Sequence, residues 1–203
     1  MGEWNEAKMH FSEAIALDDS NYRYWVELAA VLAQLDDAEG YQEHCQKMLT
    51  AFGDTNNFLI AREIAKASLF FRATDSNTDS ASELAERAVQ KQDDHLSQLI
   101  AALADYRREK YASALARIEK CLAHSELHWS YEVPAHCLRA MALRESGESE
   151  RGQAAITRAN ELMEAELPAN ESGQRKSVGA WWMEGLIATS LLKEAAAIHQ
   201  ETK

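Results

Sequence analysis

Gly2-Glu3-Trp4-Asn5-Glu6-Ala7-Lys8-Met9-His10-Phe11-Ser12-Glu13-Ala14 opens a stretch that runs to Gln34. Ala7, Phe11 and Ala14 lie four and three residues apart, so they share one face of a helix. A polar break follows at Asp18-Asp19-Ser20-Asn21. Trp25, Leu28, Ala29 and Leu32 then begin a second apolar series at the same spacing. The break has room only for a tight turn, so the two helices are predicted to be antiparallel neighbours.

The pattern recurs down the chain. Its small-residue position falls at Ala7, Tyr41, Ala81, Ala114 and Gly152, in steps of 34, 40, 33 and 38 residues. Four and seven residues beyond each stand Phe11/Ala14, Cys45/Met48, Ala85/Ala88, Ile118/Cys121 and Ile156/Ala159. Each is apolar and mostly compact, as a helix packed tightly on its neighbours requires. A period near 34 residues with one helix-turn-helix per unit is the mark of a stacked helical array.

Gly2-x-Trp4-x-x-Ala7-x-x-x-Phe11-x-x-Ala14 with Trp25-x-x-Leu28-Ala29-x-x-Leu32, and again Tyr111-x-x-Ala114-x-x-x-Ile118-x-x-Cys121, resembles the tetratricopeptide repeat (TPR) family over nearly the whole chain. Tyr41 and Gly152 depart from the usual alanine. Asp19, Gly53, Asp93 and Glu126 stand where repeats close on proline. More narrowly, Tyr41-x-x-His44-Cys45-x-x-Met48-Leu49-x-x-Phe52-Gly53-Asp54-Thr55 and Ala61-Arg62-Glu63-Ile64-Ala65-Lys66-Ala67 resemble arrays that follow the kinase domain of certain large bacterial serine/threonine kinases.

The resemblance implies an all-α fold, an α-α superhelix of about five helix pairs plus a C-terminal capping helix. Residues 1–203 would form one domain, with repeat helices over about 3–166 and the cap over about 175–200. It implies further that the first helix of each pair lines an inner groove. The groove positions would then include Arg23, Val26, Ala30 and Gln34, then Leu59, Arg62, Lys66 and Phe70. Leu99, Leu103, Tyr106 and Arg107 follow, then Cys137, Met141 and Arg144. Arg23, Arg62, Lys66, Arg107 and Arg144 would lay a basic stripe beside Phe70, Tyr106 and Met141, suited to a peptide with acidic and apolar side chains. The competing reading pairs these cations with Glu63, Asp105, Glu109 or Glu145 to hold helices in register. The carboxylate clamp of chaperone-binding members does not fit, because its places hold Val26, Glu27 and Ala30.

Composition sets outer bounds. The chain has 203 residues, 46% of them apolar, with only 2 prolines and 8 glycines. That is enough for a continuous core and suits an all-helical chain. A net charge of −12 argues against nucleic acid or an anionic membrane as the main partner, because phosphate binding needs a basic field. No apolar run approaches the roughly 18 residues of a spanning helix. No signal segment opens the chain. Cys45, Cys121 and Cys137 are an odd count, which reads as reduced thiols in a cytoplasmic protein.

Helices are predicted at 3–17, 21–35, 37–51, 57–71, 80–91, 95–109, 111–124, 131–145, 149–166 and 175–200. Gly53 is expected to end the third with a positive φ. Residues 72–80 read as a polar loop, with Ser80 and Glu83 as a capping box. Residues 125–130 read as a second connection, and Pro134 as a first-turn proline. Pro168 and Gly173 bound a loop before the cap, whose Lys193, Glu194 and Gln200 are expected toward water. The chain starts on what resembles the second helix of a pair. Trp4 and Phe11 are therefore expected at an uncovered edge, covered in a longer protein or by another copy of the chain.

Chemistry is sparse. Cys121, His124 and His128, with His136-Cys137, are the best metal-like cluster. A buried thiol and surface imidazoles is the better reading, because Cys121 holds a compact inner repeat position. The chain has no Gly-rich phosphate loop, no Gly-x-Ser-x-Gly, no His-Glu-x-x-His and no paired-Cys zinc spacing. Its 33 acidic residues are spread over helix surfaces. No cofactor, metal or enzymatic activity is expected. Trp4 and Trp25 read as core, and one of Trp181-Trp182 is expected to touch a neighbouring segment or a partner. The expected function is a scaffold that binds protein or peptide, acting as the regulatory or interaction part of a larger bacterial signalling protein such as a kinase. The alternatives are a small-molecule or signal-peptide sensor with a pocket near Phe70, Tyr106 and Trp129, or a self-associating scaffold that dimerises through the N-terminal edge.

Overall fold

The computed structural model describes residues 2–71, 75–167 and 181–200. Among these are ten helices: α1 Gly2–Leu17, α2 Tyr22–Gln34, α3 Ala38–Phe52, α4 Phe58–Leu69, α5 Asp75–Lys91, α6 His95–Arg107, α7 Tyr111–Leu122, α8 Trp129–Glu145, α9 Ser149–Glu166 and α10 Trp182–Gln200. No strand occurs among the described residues. The helices fall into two compact units, Met1–Asp93 and Asp94–Lys203.

In the first unit α1 packs on α2, α2 on α3 and α4, and α5 on α3 and α4. Its centre holds Val31, Tyr41, Met48, Ile64, Leu69 and Leu84, each less than 2% exposed. Asn21, Asp37 and Asn57 start α2, α3 and α4, and each side-chain oxygen accepts a backbone N–H of the first turn. Such caps satisfy donors that the helix itself leaves unpaired. In the second unit α6 packs on α7 and α8, α7 on α8, α8 on α9, and α10 on α8 and α9. Ile118, Leu138, Met141, Leu143, Met163 and Leu191 form its centre.

The repeat reaches down to single hydrogen bonds. Three pairs, α2/α3, α6/α7 and α8/α9, turn through one left-handed residue: Asp36 at φ 57, Glu109 at φ 59 and Gly147 at φ 83. The next N–H then reaches back to the same kind of carbonyl: Asp37 N to Leu32 O at 3.1 Å, Lys110 N to Asp105 O at 2.8 Å and Glu148 N to Leu143 O at 2.8 Å. One closing bond in three places gives each pair the same antiparallel return.

Several boundaries differ from the sequence expectation. Helix α5 begins at Asp75, so 75–80 are helical and Ser80 lies inside the helix rather than in a capping box. The polar run is satisfied by packing: Asn77 is buried and its amide donates to Gln42 O at 3.1 Å. Helix α8 begins at Trp129 because His128 caps it, its ring nitrogen 3.4 Å from Ser130 N. Pro134 therefore sits in the second turn, buried. Gly53 is right-handed, at φ −58. A glycine fits there because a Cβ would stand 2.6 Å from Leu49 O. Residues 72–74, Pro168, Gly173 and the expected cap segment 175–180 lie outside the described residues.

Candidate peptide-binding faces

The first helices of the pairs are α2 and α4 in one unit and α6 and α8 in the other. On α4, Glu63 sits between two cations: Lys66 Nζ lies 2.5 Å from one of its oxygens and Arg62 Nε lies 3.4 Å from the other. Burial pushes the Glu63 carboxyl up, but the charges and hydrogen bonds of Lys66 and Arg62 outweigh it and hold the group below the usual carboxylate range. Arg23, exposed on α2, has its guanidinium pKa raised first by a hydrogen bond with Tyr22, with Glu27 and Glu63 adding to it. Arg62 and Lys66 thus pair with Glu63, while exposed Arg23 feels Glu27 and Glu63 only through their charge. Phe70 is 3% exposed, edge-on to the Tyr41 ring at 6.2 Å and to Phe71 at 5.5 Å, so it is core.

In the second unit the expected positions are already covered. Arg107 forms a two-pronged ion pair with Glu194 of α10: Nη2 donates to Oε2 at 2.8 Å and Nη1 to Oε1. The Arg107 side chain is only 5% exposed, and its guanidinium carbon lies 5.6 Å from the Tyr106 ring centre. Burial, and then the Glu194 charge, push the Tyr106 hydroxyl up. Met141 is fully buried, and Arg144 is half-buried. Glu194 therefore does not face water as the sequence reading expected, because the buried guanidinium needs a counter-charge.

Helix α10 runs in the same direction as α8. Trp181, just before it, stacks on His128 at 4.5 Å. His199, near its end, reaches the start of α9: a Cβ on Gly152 would stand 2.9 Å from His199 Nε2 and 3.0 Å from Ala140 O. Ile187, Ala188, Leu191 and Ala195 are its buried face. The chain thus packs its own last helix on α8 and α9, with Glu194 reaching Arg107 of α6. The signal was present in the sequence as the Ile187, Leu191, Ala195 spacing, but nothing there linked Glu194 to Arg107.

The thiols and imidazoles have ordinary surroundings. Burial raises Cys45 and Cys121 to about 12 and pushes Cys137 up as well. Such thiols are poor nucleophiles. The His124 ring lies 4.1 Å from that of His95. His44 stacks on Trp25 at 5.3 Å, with Nε2 2.8 Å from Trp25 O. Among the described residues no three His, Cys, Asp or Glu side chains are placed to hold a metal. No helix among them is long and apolar enough to cross a membrane.

No family model matches this chain, and no curated protein is close enough to count as a relative. Solved structures are similar. MamA from AMB-1 shares 16% identity over 81% of this chain and 92% of that one, with a TM-score of 0.51. MamA from MSR-1 shares 15% over 81% of this chain and 89% of that one, with a TM-score of 0.50. At such identities the likeness concerns the path of the backbone: the chain has an all-helical, TPR-like solenoid fold.

Proposed function

We propose that the chain is a scaffold module that binds protein or peptide on the face built by its first helices, and that its ligands are helical segments with apolar and acidic side chains. The observation that supports this is α10. The second unit holds α10 through a stripe of aliphatic side chains packed on α8 and α9, and through one carboxylate on Arg107 of α6. On α4, Lys66 occupies the place that Leu103 has on α6, nine residues after the helix N-cap. With Arg62 and exposed Arg23 it makes the α2/α4 face the cationic counterpart, suited to an incoming acid.

The test is affinity capture from native lysate with the intact chain, with Arg23→Glu and with Arg62→Glu/Lys66→Glu, read by mass spectrometry beside circular dichroism. A partner lost from both variants while helicity stays unchanged is the expected result. A partner kept by both removes the α2/α4 face from the proposal. Arg23→Glu is the cleaner variant, because Arg23 is exposed whereas Lys66 is 7% exposed.

A second reading, self-association through α1, is favoured by the exposure of Met9 at 50% and Leu17 at 89% on that helix. Native mass of a Met9→Ser/Phe11→Ser variant tests it, and an unchanged mass removes α1 as an interface. Placement within a larger bacterial signalling protein rests on the Tyr41–Ala67 resemblance alone. None of these readings involves catalysis.

A further inference from the structure

Between α8 and α9, within the second unit, lies a cavity of about 300 Å³ lined by His136, Arg139, Arg151 and Arg158, with Leu143 and Ala155 between them. His136, Arg139 and Leu143 are three and four residues apart on α8. Arg151, Ala155 and Arg158 are four and three apart on α9. Each set shares a face, so two adjacent helices turn their basic sides to one space. No carboxylate lines it, in a protein whose net charge is −12.

The acids that balance these arginines touch them from neighbouring positions. Glu119 of α7 lies 2.9 Å from Arg139 Nη2, and Glu148 lies 2.5 Å from Arg151 Nη1. Arg158 is held loosely, 3.5 Å from Glu132 and 3.7 Å from Glu161. Glu132 also stands 3.8 Å from His136 Nε2. A guanidinium has five N–H donors in a planar fork, so one carboxylate on each leaves donors over. Two nitrogens of the lining residues, Arg139 Nε and His136 Nδ1, are buried with no hydrogen-bond partner among the described residues. Buried polar atoms in folded proteins are nearly always paired, so two orphans beside one cavity leave this region short of hydrogen-bond partners. Arg139 Nε–H can only donate. Burial, then Arg139 and Arg158, lower the His136 ring to about 4, so one ring nitrogen carries a proton and the other a lone pair, and Glu132, 3.8 Å from Nε2, favours the proton there. The Arg139 Nε–H and the remaining guanidinium donors therefore ask for an acceptor, and their charge for an anionic one.

We propose that this cavity binds a phosphate monoester. Its several acceptor oxygens and charge of about −1.5 to −2 match three converging guanidinium groups. Leu143 and Ala155 offer apolar contact to the carbon side of the ester. The site is separate from the faces proposed above, and its failure would leave that proposal standing.

The experiment titrates the full chain at pH 7 with phenyl phosphate, inorganic phosphate, sulfate, and a phosphoserine peptide beside its unphosphorylated form. Binding is followed by calorimetry and by the His136 ring proton resonances. Saturable binding of phenyl phosphate with a shift at His136 is expected. Arg151→Glu/Arg158→Glu should weaken it by at least about tenfold; both side chains are exposed, so thermal unfolding should stay near wild type. Arg139→Lys keeps the charge but removes the buried Nε donor, and should weaken binding several-fold. Phosphopeptide binding tighter than phenyl phosphate would support the proposal and assign the ester to a protein partner. Equal binding would support it with a small phosphorylated molecule as source. No saturation by either up to about 10 mM would overturn it. So would equal binding of sulfate, or binding that survives the double charge reversal.

Discussion

At the scale of single residues, the two departures from the repeat pattern have physical reasons. Tyr41 stands where alanine is usual because its hydroxyl donates to Ala67 O at 2.6 Å, and its ring packs on Phe70 and Phe71. Gly152 stands at the same register position because α8 passes too close for a side chain. Gly152→Ala should gain helix propensity of about 1 kcal/mol and lose more, about 1–3 kcal/mol, to overpacking against Ala140 O and His199. Urea unfolding checks the sign, and a stabilised variant would mean that the two helices part without cost. His136 makes a pH prediction. Its folded pKa of about 4 lies below the ordinary imidazole value of 6.5, so the unfolded chain takes the proton first. Stability from this group is complete above pH 6.5 and is lost as pH falls toward 4. The urea midpoint of His136→Gln should therefore fall less between those pH values than that of the wild type. Parallel curves would show that His136 is not buried against Arg139 and Arg158.

At the scale of elements, the Arg107–Glu194 pair ties α10, which packs on α8 and α9, to α6. Arg107 is 5% exposed and Glu194 29%. Glu194→Gln removes the carboxylate that Arg107 grips with both prongs, which should cost about 3 kcal/mol. Arg107→Leu/Glu194→Leu should recover most of that, because an apolar pair in the same space removes both desolvation penalties. A double-mutant cycle by urea unfolding measures the coupling; a single-variant cost under about 1 kcal/mol would reduce the pair to a rim contact. The same pair marks where sequence reading stopped. Helix existence was legible from the 3.6-residue period, because that period needs only near neighbours. The starts of α5 and α8 were not. Asn77 is satisfied by Gln42, 35 residues away, and His128 caps a helix that starts inside a stretch whose composition reads as a connection. Of the expected binding residues, Arg62 and Lys66 pair with Glu63 and Arg23 alone is exposed; Lys66, Phe70, Tyr106, Met141 and the Arg107 side chain are buried, and Arg144 is half-buried. A groove position read by register cannot reveal that the chain's own helix fills the space above it. The basic cavity escaped too, because its four members lie on two helices whose other faces build the core.

At the scale of the whole molecule, the charge of −12 and the three-arginine cavity pull in opposite directions, and their balance can be measured. Non-specific binding to duplex DNA at physiological salt, with Kd of about 10⁻⁴–10⁻⁶ M, draws on a row of roughly six to ten phosphate contacts. The cavity is built for one phosphate group. At an ionic strength of about 0.15 M, charges are screened beyond about 8 Å. A phosphate held by Arg139, Arg151 and Arg158 would therefore feel chiefly those three groups at contact, and more weakly Glu119, Glu132, Glu148 and Glu161 behind them. A duplex laid across the same surface would bring its further phosphates against the remaining acidic helix faces. Fluorescence anisotropy with a labelled duplex should accordingly show no binding at about 0.15 M salt, where phenyl phosphate still saturates the cavity. Binding of the duplex, lost with Arg151→Glu/Arg158→Glu, would mean that the basic patch extends well beyond the cavity and that the partner is a polyanion.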